Sequence, residues 1–220
     1  MTGQGTRERA CRRRGGFTLM EVMMATAILT IVMGVLFTLW LGISDTANVQ
    51  EAKAVTTDAA RQGLGRLVPL LRGAARSSVN WDALPGEVLS FRVAVDLDGN
   101  GTAVDSSGNL ELGGLLTVQR DVDDLNGDGQ TATQLVLIEA AGDRPTVTVL
   151  ANDICPVNET VDAEGVFGPA QDANGNGRQD RGFWVEASGR GLVVTVGGER
   201  TSRKGHAIIT DMREFVVPRN

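Results

Sequence analysis

The chain is 220 residues long and carries a formal net charge of −6, a length sufficient for one globular domain with a buried core. The first sixteen residues carry five arginines and one glutamate, a net charge of +4, which leaves −10 for the rest of the chain. An acidic body argues against a nucleic-acid-binding protein, which needs a basic folded surface, and a single histidine argues against a multi-histidine metal site.

An apolar segment without any charged residue runs from Val22 to Ile43. About 20 apolar residues in a helix cross a hydrocarbon layer of about 30 Å, so this segment is long enough to span a membrane. Basic residues near a span stay on the cytoplasmic side, so we expect a cytoplasmic leader and a periplasmic body. A secretory signal would have its small-residue cleavage site after the apolar run, whereas Gly15 and Gly16 precede it.

The stretch RRRGGFTLMEVMMATAILTIVMGVLF, Arg12 to Phe37, combines a basic leader with Gly16, Phe17 and Glu21 at fixed spacing. It resembles the N-terminal signal of type IV pilins and type II secretion pseudopilins. The resemblance implies that a prepilin peptidase removes residues 1–16 by cleaving after Gly16 and then methylates the amine of Phe17. It also implies that Glu21 docks on a neighbouring subunit, with other pilins or pseudopilins and an inner-membrane assembly platform as partners.

Glu21 places a carboxylate in the apolar stretch, where an unpaired charge costs about 2.5–3.5 kcal/mol on insertion scales. Cleavage before Phe17 would create a cationic amine about one helical turn away, and opposite charges in a low-dielectric setting lower each other's cost of burial. We therefore interpret Glu21 as a charge that guides docking. The alternative is that it reaches the lipid headgroups in an ordinary single-span anchor.

Residues 17–43 are predicted to form the transmembrane or filament-core helix, and residues 44–78 are predicted to continue it as an amphipathic helix. Apolar residues in the second part recur at three- and four-residue spacing, which is typical of a helix with one buried face. These positions are Val49, Ala52, Leu64, Leu67, Leu70 and Leu71. Gly63, Gly65 and Pro69 predict a weak point or a kink.

Residues 79–220 are predicted to form a β-rich head. Short apolar runs, some alternating with polar residues, lie between clusters of Gly, Asn and Asp, as in half-buried antiparallel strands. The predicted strands are VLSFRVAV (Val88–Val95), GLLTVQRD, QLVLIEA (Gln134–Ala140), PTVTVLA, GFWVEAS, GLVVTVGG and HAIITDMREFVV (His206–Val217). One long hydrophobic helix followed by strands predicts an α+β fold, a helical spine with an antiparallel, pilin-like head.

Three loops of the head repeat a pattern of side-chain oxygens at alternate positions followed by glycine. These positions are Asp96, Asp98 and Asn100, then Asp124, Asn126 and Asp128, then Asp172, Asn174 and Asn176. The pattern resembles the first half of an EF-hand loop and predicts structural calcium in at least one loop. Ser107, Leu135 and Phe183 stand where that loop has its bidentate glutamate, which makes Asp105 and Asp180 the candidate replacements. The alternative is plain hairpin turns, which favour the same residue types.

These features favour a structural assembly protein over an enzyme. No glycine-rich phosphate loop follows a strand, and Cys155, the one thiol of a processed chain, is expected to be buried and inert. The resemblance, together with the large head, implies a minor subunit similar to minor pseudopilin J or a PilW-type minor pilin, which primes or caps a filament. The alternative is a single-span inner-membrane protein that displays a periplasmic calcium- or sugar-binding module and forms no filament.

Overall fold

The computed structural model describes residues 16–140, 144–155, 182–203, 205 and 207–219. The chain divides into two compact units, Met1–Thr46 and Ala47–Asn220. One helix, α1 (Leu19–Gly73), contributes residues to both units. The β-strands of the described residues all belong to the second unit.

In the first unit, α1 presents an apolar surface to its surroundings. All large apolar side chains between Leu19 and Ile43 are exposed, from 47% for Val32 to 80% for Leu19. Judged by length and composition, the helix is long and apolar enough to cross a membrane. Contiguous apolar surface of this extent marks contact with lipid or with another protein rather than with water.

In the second unit, α1 buries one face. The buried positions are Ala52, Thr56, Ala59, Ala60, Gly63, Leu64, Leu67, Val68 and Leu71, and their spacing of three or four residues places them on one side of the helix. The helix is continuous through Gly65 and Pro69, where the sequence predicted a weak point or a kink. It ends at Gly73, short of the predicted residue 78, because the next two residues form β-bridges and a 3-10 turn follows at Arg76–Ser78.

The strands form two antiparallel sheets. The first has the order β1-β2-β3-β4, with β1 (Leu89–Ala94), β2 (Leu112–Arg120), β3 (Leu135–Ala140) and β4 (Thr146–Ala151). The second has the order β5-β6-β7, with β5 (Phe183–Ser188), β6 (Gly191–Thr201) and β7 (Ala207–Val216). Each strand overlaps its predicted run, and the predicted α+β architecture of a long apolar helix followed by antiparallel sheets is confirmed.

Isolated β-bridges and a common core join the two sheets. Gly86, ahead of β1, pairs with Val185 of β5, and Ile154, after β4, pairs with Gly198 of β6. The core contains fully buried side chains from α1 and from both sheets, among them Leu67, Leu71, Phe91 and Phe183. Removing apolar surface from water stabilises a fold by about 25 cal/mol per Å². This burial holds the second half of α1 against the sheets.

Candidate functional site

The predicted cleavage site lies immediately before α1. Gly16 and Phe17 are both exposed, Phe17 to 86%. Within the described residues, nothing beyond the chain neighbours of Gly16 lies within 4 Å of where its Cβ would be. Exposed, non-helical backbone is the kind of substrate that a protease can bind. Cleavage and methylation at these two residues stay predictions.

Thr18 and Glu21 cap the first turn of α1 through three hydrogen bonds. The backbone N–H of Thr18 donates to Oε2 of Glu21 at 2.9 Å, and Oγ1 of Thr18 donates to the same oxygen at 3.1 Å. In return, the backbone N–H of Glu21 donates to Oγ1 of Thr18 at 3.3 Å. This reciprocal pairing is a capping box, with Thr18 as N-cap and Glu21 three positions later.

The capping box changes the physical account of Glu21. Its carboxylate has two donors within its own chain and sits at the positive end of the helix dipole, which stabilises a negative charge. The sequence interpretation named the amine of Phe17 as the partner that stabilises the Glu21 carboxylate, and it missed the hydrogen bonds from Thr18. Threonine followed three residues later by glutamate, just before an apolar run, is the signal that identifies the box.

Glu21 also borders a shallow groove of about 320 Å³ on the surface of α1. The groove is lined by Phe17, Glu21, Val22, Ala25, Thr26 and Leu29. Ala25 and Thr26 are smaller than their neighbours, which leaves room beside the carboxylate. The candidate assembly residue is therefore an exposed acid at the edge of an apolar depression.

The first of the three acidic loops brings carboxylates together. Asp96, Asp98 and Glu111 each offer an oxygen, and these oxygens lie within 4.8 Å of one another. Three carboxylates at this separation suit a hard divalent cation such as calcium. Glu111 was not among the predicted ligands. The predicted ligand Asp105 does not belong to the group of three; its Oδ1 instead accepts hydrogen bonds from the backbone N–H groups of Ser107 and Asn109.

Backbone N–H groups keep Asp96 ionised. The N–H of Gly101 donates to Oδ2 at 2.8 Å and that of Gly99 to Oδ1 at 2.7 Å, and these hydrogen bonds, the one from Gly101 above all, lower the pKa of Asp96. The N–H of Asn109 lowers the pKa of Asp105 in the same way. Because both pKa values are lowered, the stabilisation is present above the unfolded pKa and is lost as the pH falls through the lowered value.

The predicted ligands of the second loop each bond to the loop's own backbone. Asp124 accepts from the N–H of Gly129, Asn126 from that of Asp128, and Asp128 from that of Gln130. The hydrogen bond from Gln130 is the main reason why the pKa of Asp128 is lowered. Within the described residues, no carboxylates of this loop form a group of three like that of the first loop.

Two buried polar residues that sequence reasoning missed support the second loop. Gln134 is 2% exposed; its Nε2 donates to Oδ2 of Asp128 at 2.7 Å, and its Oε1 accepts from Nδ2 of Asn126. Asp121 is fully buried, and its Oδ1 accepts from the N–H of Leu125 at 2.8 Å. Both sides of the loop are therefore held by side chains that the alternate-oxygen pattern does not include.

Several predicted positions lie outside the described residues. These are Asp172, Asn174, Asn176 and Asp180 of the third loop, the leader up to residue 15, and His206. Cys155 is described and is buried, as expected, with its Sγ 3.2 Å from Oε2 of Glu199. The thiol therefore has a hydrogen-bond acceptor inside the fold.

Comparison with protein-family models gave a match to an N-terminal motif. The profile of the prokaryotic N-terminal methylation motif matches residues 11–37, which include Gly16, Phe17, Thr18 and Glu21. Comparison with curated proteins and with solved structures gave no match. The motif, the membrane-capable helix and the α+β architecture together support a type IV pilin-like protein that is anchored in a membrane. Proteins with this motif are in general structural and not enzymatic.

Proposed function

We propose that this chain is a minor pilin or pseudopilin that primes or caps a type IV pilus or a type II secretion pseudopilus. The observation that carries the proposal is the methylation motif at the start of an exposed apolar helix, with Glu21 held by its own capping box. A carboxylate that accepts hydrogen bonds from Thr18 at the edge of an apolar groove is suited to meet a cationic amine on another subunit.

Processing by a prepilin peptidase is part of the proposal. The peptidase would cut after Gly16, which is exposed, and would methylate the new amine of Phe17. The arginines of the leader favour a cytoplasmic N-terminus, and the head after the span would then lie in the periplasm. Other pilins or pseudopilins and an inner-membrane assembly platform are the proposed partners.

Mass spectrometry of the N-terminus tests this function. The protein extracted from membranes of its own host is expected to begin at Phe17 and to carry a methyl group on that amine. A Gly16→Glu variant is the matched control, because it blocks the close approach of a peptidase at the cut and should retain the leader. A wild-type chain that still begins at residue 1 would contradict the proposed function and would favour a single-span anchor.

We also propose calcium as a structural cofactor of the first loop. The support is the grouping of Asp96, Asp98 and Glu111, together with backbone N–H groups that hold Asp96 ionised. A cation would remove the repulsion between the three acids, so calcium would stabilise the hairpin that carries them. The same site would serve the alternative function, a displayed calcium- or sugar-binding module, which the mass-spectrometric test separates from a filament subunit.

Calcium is expected to raise the melting temperature of the full chain in detergent. With free calcium at about 100 times its dissociation constant, binding adds about 2.7 kcal/mol, or about 5–11 °C for a chain of this size. A Glu111→Gln variant should lose most of this rise, and an Asp105→Asn variant, altered in the same hairpin but outside the acid group, should keep it. Equal melting temperatures of the wild type in calcium and in chelator would show that the loop is a plain turn without a calcium site.

A further inference from the structure

A further concave site lies in the head, beside the hairpin that also carries Glu111. It is a pocket of about 420 Å³ lined by Arg76, Ser77, Trp81 and Leu110, which we name the Arg76 pocket. Three of these residues belong to the segment between α1 and β1, and Leu110 belongs to the hairpin that precedes β2. The lining surface is mainly apolar, and the lining residues include one arginine and one serine.

The guanidinium of Arg76 is held in a fixed position. Its centre lies 5.4 Å from the centroid of the Trp81 ring, and its Nη1 donates to the carbonyl oxygen of Arg190 at 3.2 Å. The ring is held in turn, because Nε1 of Trp81 donates to the carbonyl oxygen of Arg76 at 2.9 Å. A cation stacked on an indole and anchored through one nitrogen loses little side-chain entropy when it binds an anion.

Within the described residues, the charge of Arg76 is not balanced by an ion pair. Arg72, Arg120 and Arg213 each form an ion pair with a glutamate, but no carboxylate of the described residues lies within ion-pair distance of Arg76. Among the guanidinium nitrogens of Arg76, Nη1 alone has a hydrogen-bond acceptor in the part of the chain that the structure describes. Ser77 is exposed, so its side chain is accessible to a ligand.

We propose that the Arg76 pocket binds the carboxylate terminus of a polypeptide whose last side chain is apolar. A guanidinium fork matches a carboxylate, and the hydroxyl of Ser77 can donate a further hydrogen bond to it. The indole of Trp81 and the side chain of Leu110 then form a wall for the apolar group. A chain terminus fits this pocket better than an aspartate or glutamate side chain, because an acidic side chain brings a carboxylate but no large apolar group to pack on Trp81 and Leu110. This site is independent of the proposed filament function.

Binding of short peptides to the full chain in detergent micelles tests the proposal. The probes are acetyl-Ala-Ala-Leu with a free carboxylate, the same peptide as its C-terminal amide, and acetyl-Ala-Ala-Glu amide, whose only charge is on its side chain. The readout is the indole N–H resonance of Trp81 in NMR spectra, with the resonances of Trp40 and Trp184 as internal controls. The free acid is expected to bind at least about tenfold more tightly than either amide, as charge-assisted hydrogen bonds to one carboxylate require.

Variants locate the effect in the pocket. Arg76→Gln should abolish the preference for the free acid, and Ser77→Ala, an exposed position that leaves the fold intact, should weaken binding of the acid by about two- to fivefold. Arg200→Gln removes an exposed arginine elsewhere and should change nothing. Equal binding of acid and amide, equal binding of the glutamate peptide, unchanged binding by Arg76→Gln, or no movement of the Trp81 resonance up to about 10 mM peptide would each overturn the proposal.

Discussion

Replacement of Glu21 by alanine is expected to leave membrane insertion intact while incorporation into filaments falls by about a hundredfold or more. Loss of one partner of a buried ion pair costs about 3–5 kcal/mol, and each 1.4 kcal/mol is about tenfold in an equilibrium. Insertion survives because the substitution removes a charge from the apolar helix and leaves its exposed apolar side chains in place. Assembly suffers because the neighbouring amine would enter an apolar groove without an acid to meet it. The measurement compares the amount of the variant in washed membranes with the amount in sheared filaments.

A Glu21→Gln variant separates the charge from the helix cap. The glutamine oxygen can still accept the hydrogen bond from the N–H of Thr18, so the first turn of α1 stays capped while the negative charge is lost. If charge guides docking, glutamine is as defective as alanine. Recovery of assembly by glutamine would instead assign the role of Glu21 to capping, and normal assembly by both variants would remove its docking role. Glu51→Ala, an exposed acid of α1 beyond the apolar segment, is the control that should assemble normally.

The secondary structure of the head could be predicted because its signals are local. Alternating apolar and polar residues identify β1 and β4, and runs of Gly, Asn and Asp mark where they end. The end of α1 could not be predicted in this way, since Ala74 and Ala75 are good helix formers. They leave the helix because Val93 and Arg219, distant in sequence, pair with their backbone.

The candidate metal group shows the same limit. An EF-hand count from Asp96 leads to Ser107 at the position of the bidentate acid, and this count misses Glu111. In the structure the loop contains a small hairpin in which Val104 is bridged to Leu110. Because the chain turns back there, Glu111 lies close to Asp96 and Asp98. The pattern of oxygen-bearing residues is therefore visible in the sequence, but the partner that completes the group depends on a turn inside the loop.

Replacement of Gly198 by alanine is expected to destabilise the head, because a side chain there would meet the backbone of α1. A Cβ at Gly198 would lie 2.6 Å from the carbonyl oxygen of Thr56 and 3.0 Å from its Cα, and both are backbone atoms of α1. Gly198 is paired with Thr210 on one side and bridged to Ile154 on the other, so the strand cannot move away without breaking backbone hydrogen bonds. Overpacking of this kind costs about 3 kcal/mol, which lowers the melting temperature of a chain of this size by about 6–12 °C.

The matched control is Gly65→Ala, for which the opposite sign is expected. Gly65 is exposed on α1 and a Cβ there meets nothing within 4 Å, so alanine should stabilise the helix by about 0.5–1 kcal/mol through its higher helix propensity. Thermal unfolding of both variants in the same detergent, followed by near-ultraviolet circular dichroism, measures the two effects side by side. If the Gly198→Ala variant has the same melting temperature as the wild type, α1 does not pack against β6 at Thr56. The close approach of helix and strand would then not be what orients the second half of α1 on the sheets.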